Sequence, residues 1–357
     1  MKKTLLTTAK VVVSVGILTY IFTHVVDIRH LWANLREADF SLFAAAVVVY
    51  FGVQALSAYR WHALLKPQGI EVSYPRILAF YFLGMYFNFF LPSTIGGDVF
   101  RIYYLRKESG RLSASSASVF LDRDIGMGGL VLLATVVAAA AGIEFKGVPL
   151  ALPFGVVVLG FVIANLAIFY RPTYNFIHRL LLVFRMKSAD VKVERIFESV
   201  NCYRGKWRLW AVTLLMSVGV QVGCVLVNTL CAAAIGMQTR HGWLDFLVFI
   251  PTIGLVSMIP VSVNGTGWRE ASYILLFQSV ITDPDQTHAA AQAATLALLW
   301  LGVTVIVSLP GGIIYVLRGS RKEDRPPESA DFLEPDPNAN GSNLSTLQHD
   351  EESVSTV

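Results

Sequence analysis

Apolar residues in this chain gather in runs near the length a helix needs to cross a hydrocarbon layer, instead of the narrow stripes of a soluble core. Full spans are expected at 9–26, 40–60, 112–141, 148–170, 208–236 and 289–317, which puts both termini on one side. Two further apolar segments, 76–91 and 243–259, break the pattern. Each ends at a proline and glycine cluster and is followed by a helical stretch, 98–107 and 268–281, too short to cross. An apolar segment, a break and a half-length helix is the sequence form of a re-entrant hairpin. The expected fold class is therefore an all-α integral membrane protein with six full transmembrane helices plus two re-entrant broken-helix hairpins.

Composition and charge sharpen this picture. Of 357 residues, 54% are apolar and 15% charged, which excludes collagen, disulfide scaffolds and disordered chains. Lys2, Lys3 and Lys10 precede an apolar stretch without a small-residue cleavage site, so it is expected to stay as an uncleaved first helix. If each hairpin returns to its side of entry, 22 Lys and Arg fall inside, Arg60, Lys66 and Arg76 among them. Four fall outside: Arg29, Arg36, Lys146 and Arg240. That positive-inside bias predicts a multi-pass protein of the cytoplasmic membrane with cytoplasmic N- and C-termini. It also accounts for the net charge of +4 without nucleic acid. The loop 171–207 carries Phe176, Ile177, Leu180, Leu181 and Phe184 at helical spacing, as expected of an interfacial anchor. The segment 321–357 holds seven acids and four prolines after Arg325, and is expected to be a disordered cytoplasmic tail. The three cysteines and seven histidines show no ligand spacing, so neither metal nor cofactor is expected.

Arg101, Arg123 and Arg269 remain, all inside membrane-associated segments. The first break reads Leu91-Pro92-Ser93-Thr94-Ile95-Gly96-Gly97-Asp98 with Arg101 beyond it. The second reads Ile259-Pro260 through Gly265, Gly267 and Trp268 to Arg269-Glu270. Aligned on Pro92 and Pro260, both have a glycine five residues on, Gly97 and Gly265, and an arginine nine residues on. With one hairpin entering from each side, the chain reads as an inverted repeat. Its transmembrane domain is 1–320, with half-repeats of about 1–141 and 148–320. Proline removes a donor and the restarting helix presents free N–H groups, so each break suits an anion. Arg101 and Arg269 would bind a phosphate, with Asp98 and Glu270 orienting them or engaging a cationic headgroup. The structural alternative is that Arg101 merely pairs with Asp98 to pin the hairpin, and that the Asp122-Arg123-Asp124 run snorkels to the inner interface.

At these residues the chain resembles the lysylphosphatidylglycerol synthase transmembrane-region family of flippase-like membrane proteins. The stretch from Tyr86 to Asp98 with Arg101 is similar to its first signature, the stretch from Ile259 to Glu270 to its second, and Asp122-Arg123 to its acid–arginine pair. The resemblance covers about 1–320. It implies a lipid transporter that moves an anionic or modified lipid, a phospholipid or a polyprenyl-phosphate-type lipid, with no catalytic residues. In the family this module is often fused to a soluble aminoacyl-transferase or joined with a glycosyltransferase. No such domain is expected after Arg318, so the chain is not expected to be an enzyme. The alternative is a membrane component of an aminoacyl-phospholipid synthase or glycosyltransferase pathway, with a separate transferase as partner.

Overall fold

A computed structural model describes residues 14–90, 96–142, 144–145, 148–149, 151–170, 172–173, 175, 197, 199–258 and 265–319. Pro92, Pro260, most of the loop 171–207 and the tail 321–357 lie outside them. The described residues are helical apart from short loops and a two-residue antiparallel ladder, Glu144–Phe145 with Val148–Pro149. The helices are α1 (Ser14–Val25), α2 (Ile28–Glu37), α3 (Phe40–Leu65), α4 (Tyr74–Phe90), α5 (Gly96–Ser109) and α6 (Leu112–Ala141). They continue with α7 (Ala151–Phe169), α8 (Trp207–Ala234), α9 (Trp243–Ser257), α10 (Trp268–Phe277) and α11 (Gln286–Gly319). Four of them, α3, α6, α8 and α11, are long and apolar enough to cross a membrane, and α1 and α7 contribute shorter apolar stretches. With the exposed apolar side chains of α7, such as Leu152, Val156, Leu159 and Leu166, they define a multi-pass membrane protein.

Local chemistry sets the helix ends. Asp39 caps α3 by accepting from Ser41 N and Leu42 N, and its own amide donates to Ala234 O at 2.8 Å. That bond joins the start of α3 to the end of α8. Further along, Gly223 meets Val53 and Arg60 reaches Ser217, so the two helices run antiparallel. The chain continues from α3 through a 3₁₀ turn, Lys66–Gln68, and reverses at Gly69 with φ of 64°.

Both broken segments are hairpins that leave the fold at the end where they enter. Arg76 at the start of α4 is paired with Glu108 at the end of α5, and Arg111 donates to Gln68 O beside them. In the second unit, Arg240 N donates to Val280 O and Thr282 N to Gln238 O, closing the entry of α9 against the exit of α10. Glycines let the arms of the first hairpin touch. A Cβ on Gly97 would stand 2.0 Å from Gly84 O, closer than any real contact. Gly265 and Gly267 serve differently: their φ angles of 76° and 82° turn the chain into α10.

Packing follows a regular scheme. Helix α3 lies on α8; α4 packs on α11 and α9 on α6; α4 packs on α5 and α9 on α10. Likewise α5 meets α6 and α10 meets α11, while α3 meets α4, α6 and α11, and α8 meets α9, α11 and α6. The largest apolar core lies among α3, α8, α9, α10 and α11, and a second one gathers Trp61, Ile77, Phe80, Leu83, Tyr104 and Leu105 beneath the first hairpin.

Candidate functional site

The first hairpin, α3 and α6 enclose a cavity of about 160 Å³ lined by Arg60, Tyr81, Gly84, Met85, Asn88, Asp98, Arg101, Asp122 and Arg123. Its charged side chains form a ladder of alternating sign. Arg60 Nε donates to Asp122 Oδ1 at 2.9 Å, and Arg101 Nη2 donates to Asp122 Oδ2 at 2.7 Å. Arg101 Nη1 lies 3.4 Å from Asp98 Oδ1, and the other oxygen of Asp98 is paired with Arg123 Nε. Arg60, Asp98, Arg101 and Asp122 are buried, whereas the Arg123 side chain is 42% exposed and forms the open end.

Helix periodicity and small residues make room for this ladder. Asp98 and Arg101, three apart on α5, share one face, and Arg60 comes from the last turns of α3. A Cβ on Gly84 would stand 2.9 Å from Arg101 Cγ, and one on Gly126 3.3 Å from the Arg60 guanidinium. The Arg101 guanidinium carbon lies 4.1 Å from the Trp61 ring centroid and 4.6 Å from that of Tyr81, so two aromatic faces hold it. Arg60 also donates to Ser217 Oγ at 2.7 Å. Asn88 Oδ1 accepts from Gly97 N at 2.8 Å, satisfying one of the free donors where α5 restarts. Arg101 Nε is buried and has no hydrogen-bond partner among the described residues.

The structure thus brings Asp98, Arg101 and Arg123 together, with the buried glycines Gly96 and Gly97 at the head of α5. One sequence-based expectation and two of the structural alternatives need correction here. Arg60 does not lie at the inside surface: α3 runs to Leu65, and Arg60 is buried a turn inside it against Asp122. Asp122 does not snorkel: it is 1% exposed and sits between two guanidiniums, because its short side chain cannot reach water from there. Nor is Asp98 the main partner of Arg101, since the bond to Asp122 is shorter by far.

Arg269 and Glu270 lie on α10 and do not line the cavity. Glu270 Oε2 accepts from Gly267 N and so satisfies a free donor at the head of its own helix. Arg269 is in electrostatic range of Tyr50 and Tyr273, and the Tyr273 hydroxyl donates to the buried Asn228 Oδ1 at 2.7 Å.

A multi-pass helical membrane protein with a buried guanidinium–carboxylate ladder beneath a broken helix is the class defined by this geometry. The model of the lysylphosphatidylglycerol synthase transmembrane region matches residues 8–312, and the chain belongs to that family. It is similar to a UPF0104 membrane protein of Methanothermobacter thermautotrophicus, 24% identical over 67% of this chain and 74% of the relative. It is also similar to a UPF0104 membrane protein of Pyrococcus horikoshii, 28% identical over 25% of this chain and 28% of the relative's length.

Proposed function

We propose that the protein binds an anionic or modified phospholipid through its phosphate and moves it between the leaflets of the cytoplasmic membrane, with no covalent catalyst. The observation that carries this reading is the buried Arg101 guanidinium on the cavity, whose Nε has no hydrogen-bond partner among the described residues. A phosphate oxygen there would supply the missing acceptor, and the exposed Arg123 at the open end would meet the headgroup first. Family membership supports a role with lipids.

The full architecture in this reading has six crossings and two re-entrant hairpins in an inverted repeat, with both termini cytoplasmic. Exchanging α3 with α8, α4 with α9, α5 with α10 and α6 with α11 turns every packing pair among these eight helices into another observed pair. The antiparallel course of α3 and α8, with hairpins opening at opposite ends, supports inversion of the halves. With Arg60 moved from the inside surface to the buried ladder, the distribution of basic residues is 21 to four, which still supports the orientation.

The family's description as a synthase transmembrane region favours a second reading, a membrane component that works beside a separate transferase. Reconstitution into vesicles with labelled phospholipids and a polyprenyl phosphate separates the two. Under the transporter reading the protein alone moves at least one anionic lipid, and Arg101→Ala stops the movement while remaining folded and inserted. Lipid movement that appears only with an added transferase favours the second reading. Unchanged movement by Arg101→Ala refutes the site.

A further inference from the structure

One buried acid of the same helix stands outside the ladder. Asp124, on α6, is 8% exposed. Its one hydrogen bond among the described residues comes from Asn165 Nδ2 of α7 at 3.2 Å, an amide that it shares with Phe161 O. The neighbouring guanidiniums are engaged elsewhere, Arg60 and Arg101 on Asp122 and Arg123 on Asp98. Among the described residues, no cation of the other elements packed on α6, Arg106 and Lys107 of α5 included, is paired with Asp124. Helix α7 has no ionisable side chain. Arg208 of α8 stands over the Trp207 ring, and Asp245 of α9 is bonded to His241. A carboxylate charge held inside a membrane helix by one shared neutral amide is costly, and a bound proton is the simplest relief.

From this geometry we infer that Asp124 is a proton-binding site whose occupancy sets the charge beside the phosphate cavity. Three arginines and two aspartates line that cavity, leaving one positive charge for one anionic phosphate. With a proton on Asp124 that balance stands. When the O–H bond breaks, H⁺ passes to water, the electron pair stays on the carboxyl oxygen, and the new charge, on the α7 side of the helix that carries Asp122 and Arg123, offsets the excess through the fold. Proton and anion therefore bind together. The proton site rests on Asp124 alone, whereas its coupling to an anion rests on the reading proposed above.

Infrared spectra of the full chain in vesicles test the proton site. A protonated-carboxyl C=O band is expected at neutral pH in the wild type and is expected to be missing in Asp124→Asn, which keeps a hydrogen-bonding partner for Asn165. Heavy-carbon labelling of aspartate carboxyls in the unmutated protein should shift the same band, so the result does not depend on the variant folding. A band that persists in Asp124→Asn, or that does not shift with the label, overturns the proton site. Coupling is read from protection against unfolding by dimethyl phosphate. Its apparent affinity for the wild type should fall about tenfold at high pH, the effect of one unit charge roughly 10 Å away at an effective dielectric constant near 20. Asp124→Asn should bind equally at both pH values, and a parallel fall in the variant overturns the coupling. No binding by the wild type at any pH refutes the anion reading instead, and the infrared band still decides the proton site.

Discussion

Asp122→Asn changes one oxygen to an amide and keeps the volume, yet it removes the charge that faces both Arg60 and Arg101. Breaking a buried ion pair from one side costs about 3–5 kcal/mol, because the partner stays buried without compensation. Here two guanidiniums are stranded, but neither completely: Arg60 keeps Ser217 Oγ at 2.7 Å and Arg101 keeps Asp98 at 3.4 Å. The expected loss is therefore near the lower end, about 3 kcal/mol. Arg60→Met leaves Asp122 paired with Arg101 and should cost less, about 1–3 kcal/mol, chiefly from polar groups left without a donor. In the double variant one stranded cation has gone, so the combined loss should fall short of the sum by about 1–3 kcal/mol. Reversible unfolding in mixed micelles, followed by helix content, measures all three. A loss below about 1 kcal/mol for Asp122→Asn, or strict additivity in the cycle, would refute the claim that these charges act as one buried unit.

Backbone crossings and caps give further tests. Gly97→Ala forces a methyl to within 2.0 Å of Gly84 O, so α4 and α5 must part. The loss should exceed about 3 kcal/mol, visible as little monodisperse protein after extraction. Gly267→Ala meets both a φ of 82° and Ser14 O at 3.0 Å, and should lower the unfolding free energy by about 2 kcal/mol or more. At the head of α3 the hydroxyl and amide of Ser41 hold the Asp39 carboxyl below its usual pKa. The stabilisation is complete above the ordinary carboxylate value of 3.8 and is lost as pH falls through the lower folded value. Measured against the intrinsic rate at each pH, the protection of the Ser41 and Leu42 amides from exchange should fall in that acid range, and in Asp39→Ala it should be low at every pH.

The proline and glycine clusters that follow Phe90 and Ser257 marked in the sequence where α4 and α9 end. Such punctuation does not stop every helix, since Pro251 lies inside α9 and Pro310, with Gly311 and Gly312, inside α11. Asp98, Arg101 and Arg123 were legible for another reason: charges within apolar segments need partners or ligands. Arg60 was missed through an error of five residues in one boundary. Ending the second span at 60 leaves that arginine at the inside surface, whereas continuation of the helix to Leu65 buries it more than a turn deep. The run Tyr59-Arg60-Trp61-His62 masks the continuation, since hydropathy falls before the helix does. Side-chain length held the clue for Asp122: an arginine can snorkel, but an aspartate cannot, so a buried Asp122 demanded a cation from a neighbouring helix. The sequence repeat makes Arg101 and Arg269 equivalents, but equivalence does not bring them to one cavity, and only the first lines the one described here.

On the proposed inverted repeat the halves have diverged most where their chemistry lies. Arg60 and Asn228 stand the same 168 residues apart as Arg101 and Arg269, on the antiparallel helices α3 and α8. In the first half that position is a cation bound to Asp122. In the second it is a neutral amide, whose oxygen accepts the Tyr273 hydroxyl and whose nitrogen donates to Cys224 O. A hydroxyl–amide bond inside the bundle is satisfied with no net charge, so it can close the second half without a ligand. The three guanidiniums and two carboxylates that line the cavity leave one positive charge, and on the function proposed above that excess would put anion recognition in the first half. On that reading the second half would be the scaffold of the first hairpin, which it meets through α4 on α11 while α3 lies on α8.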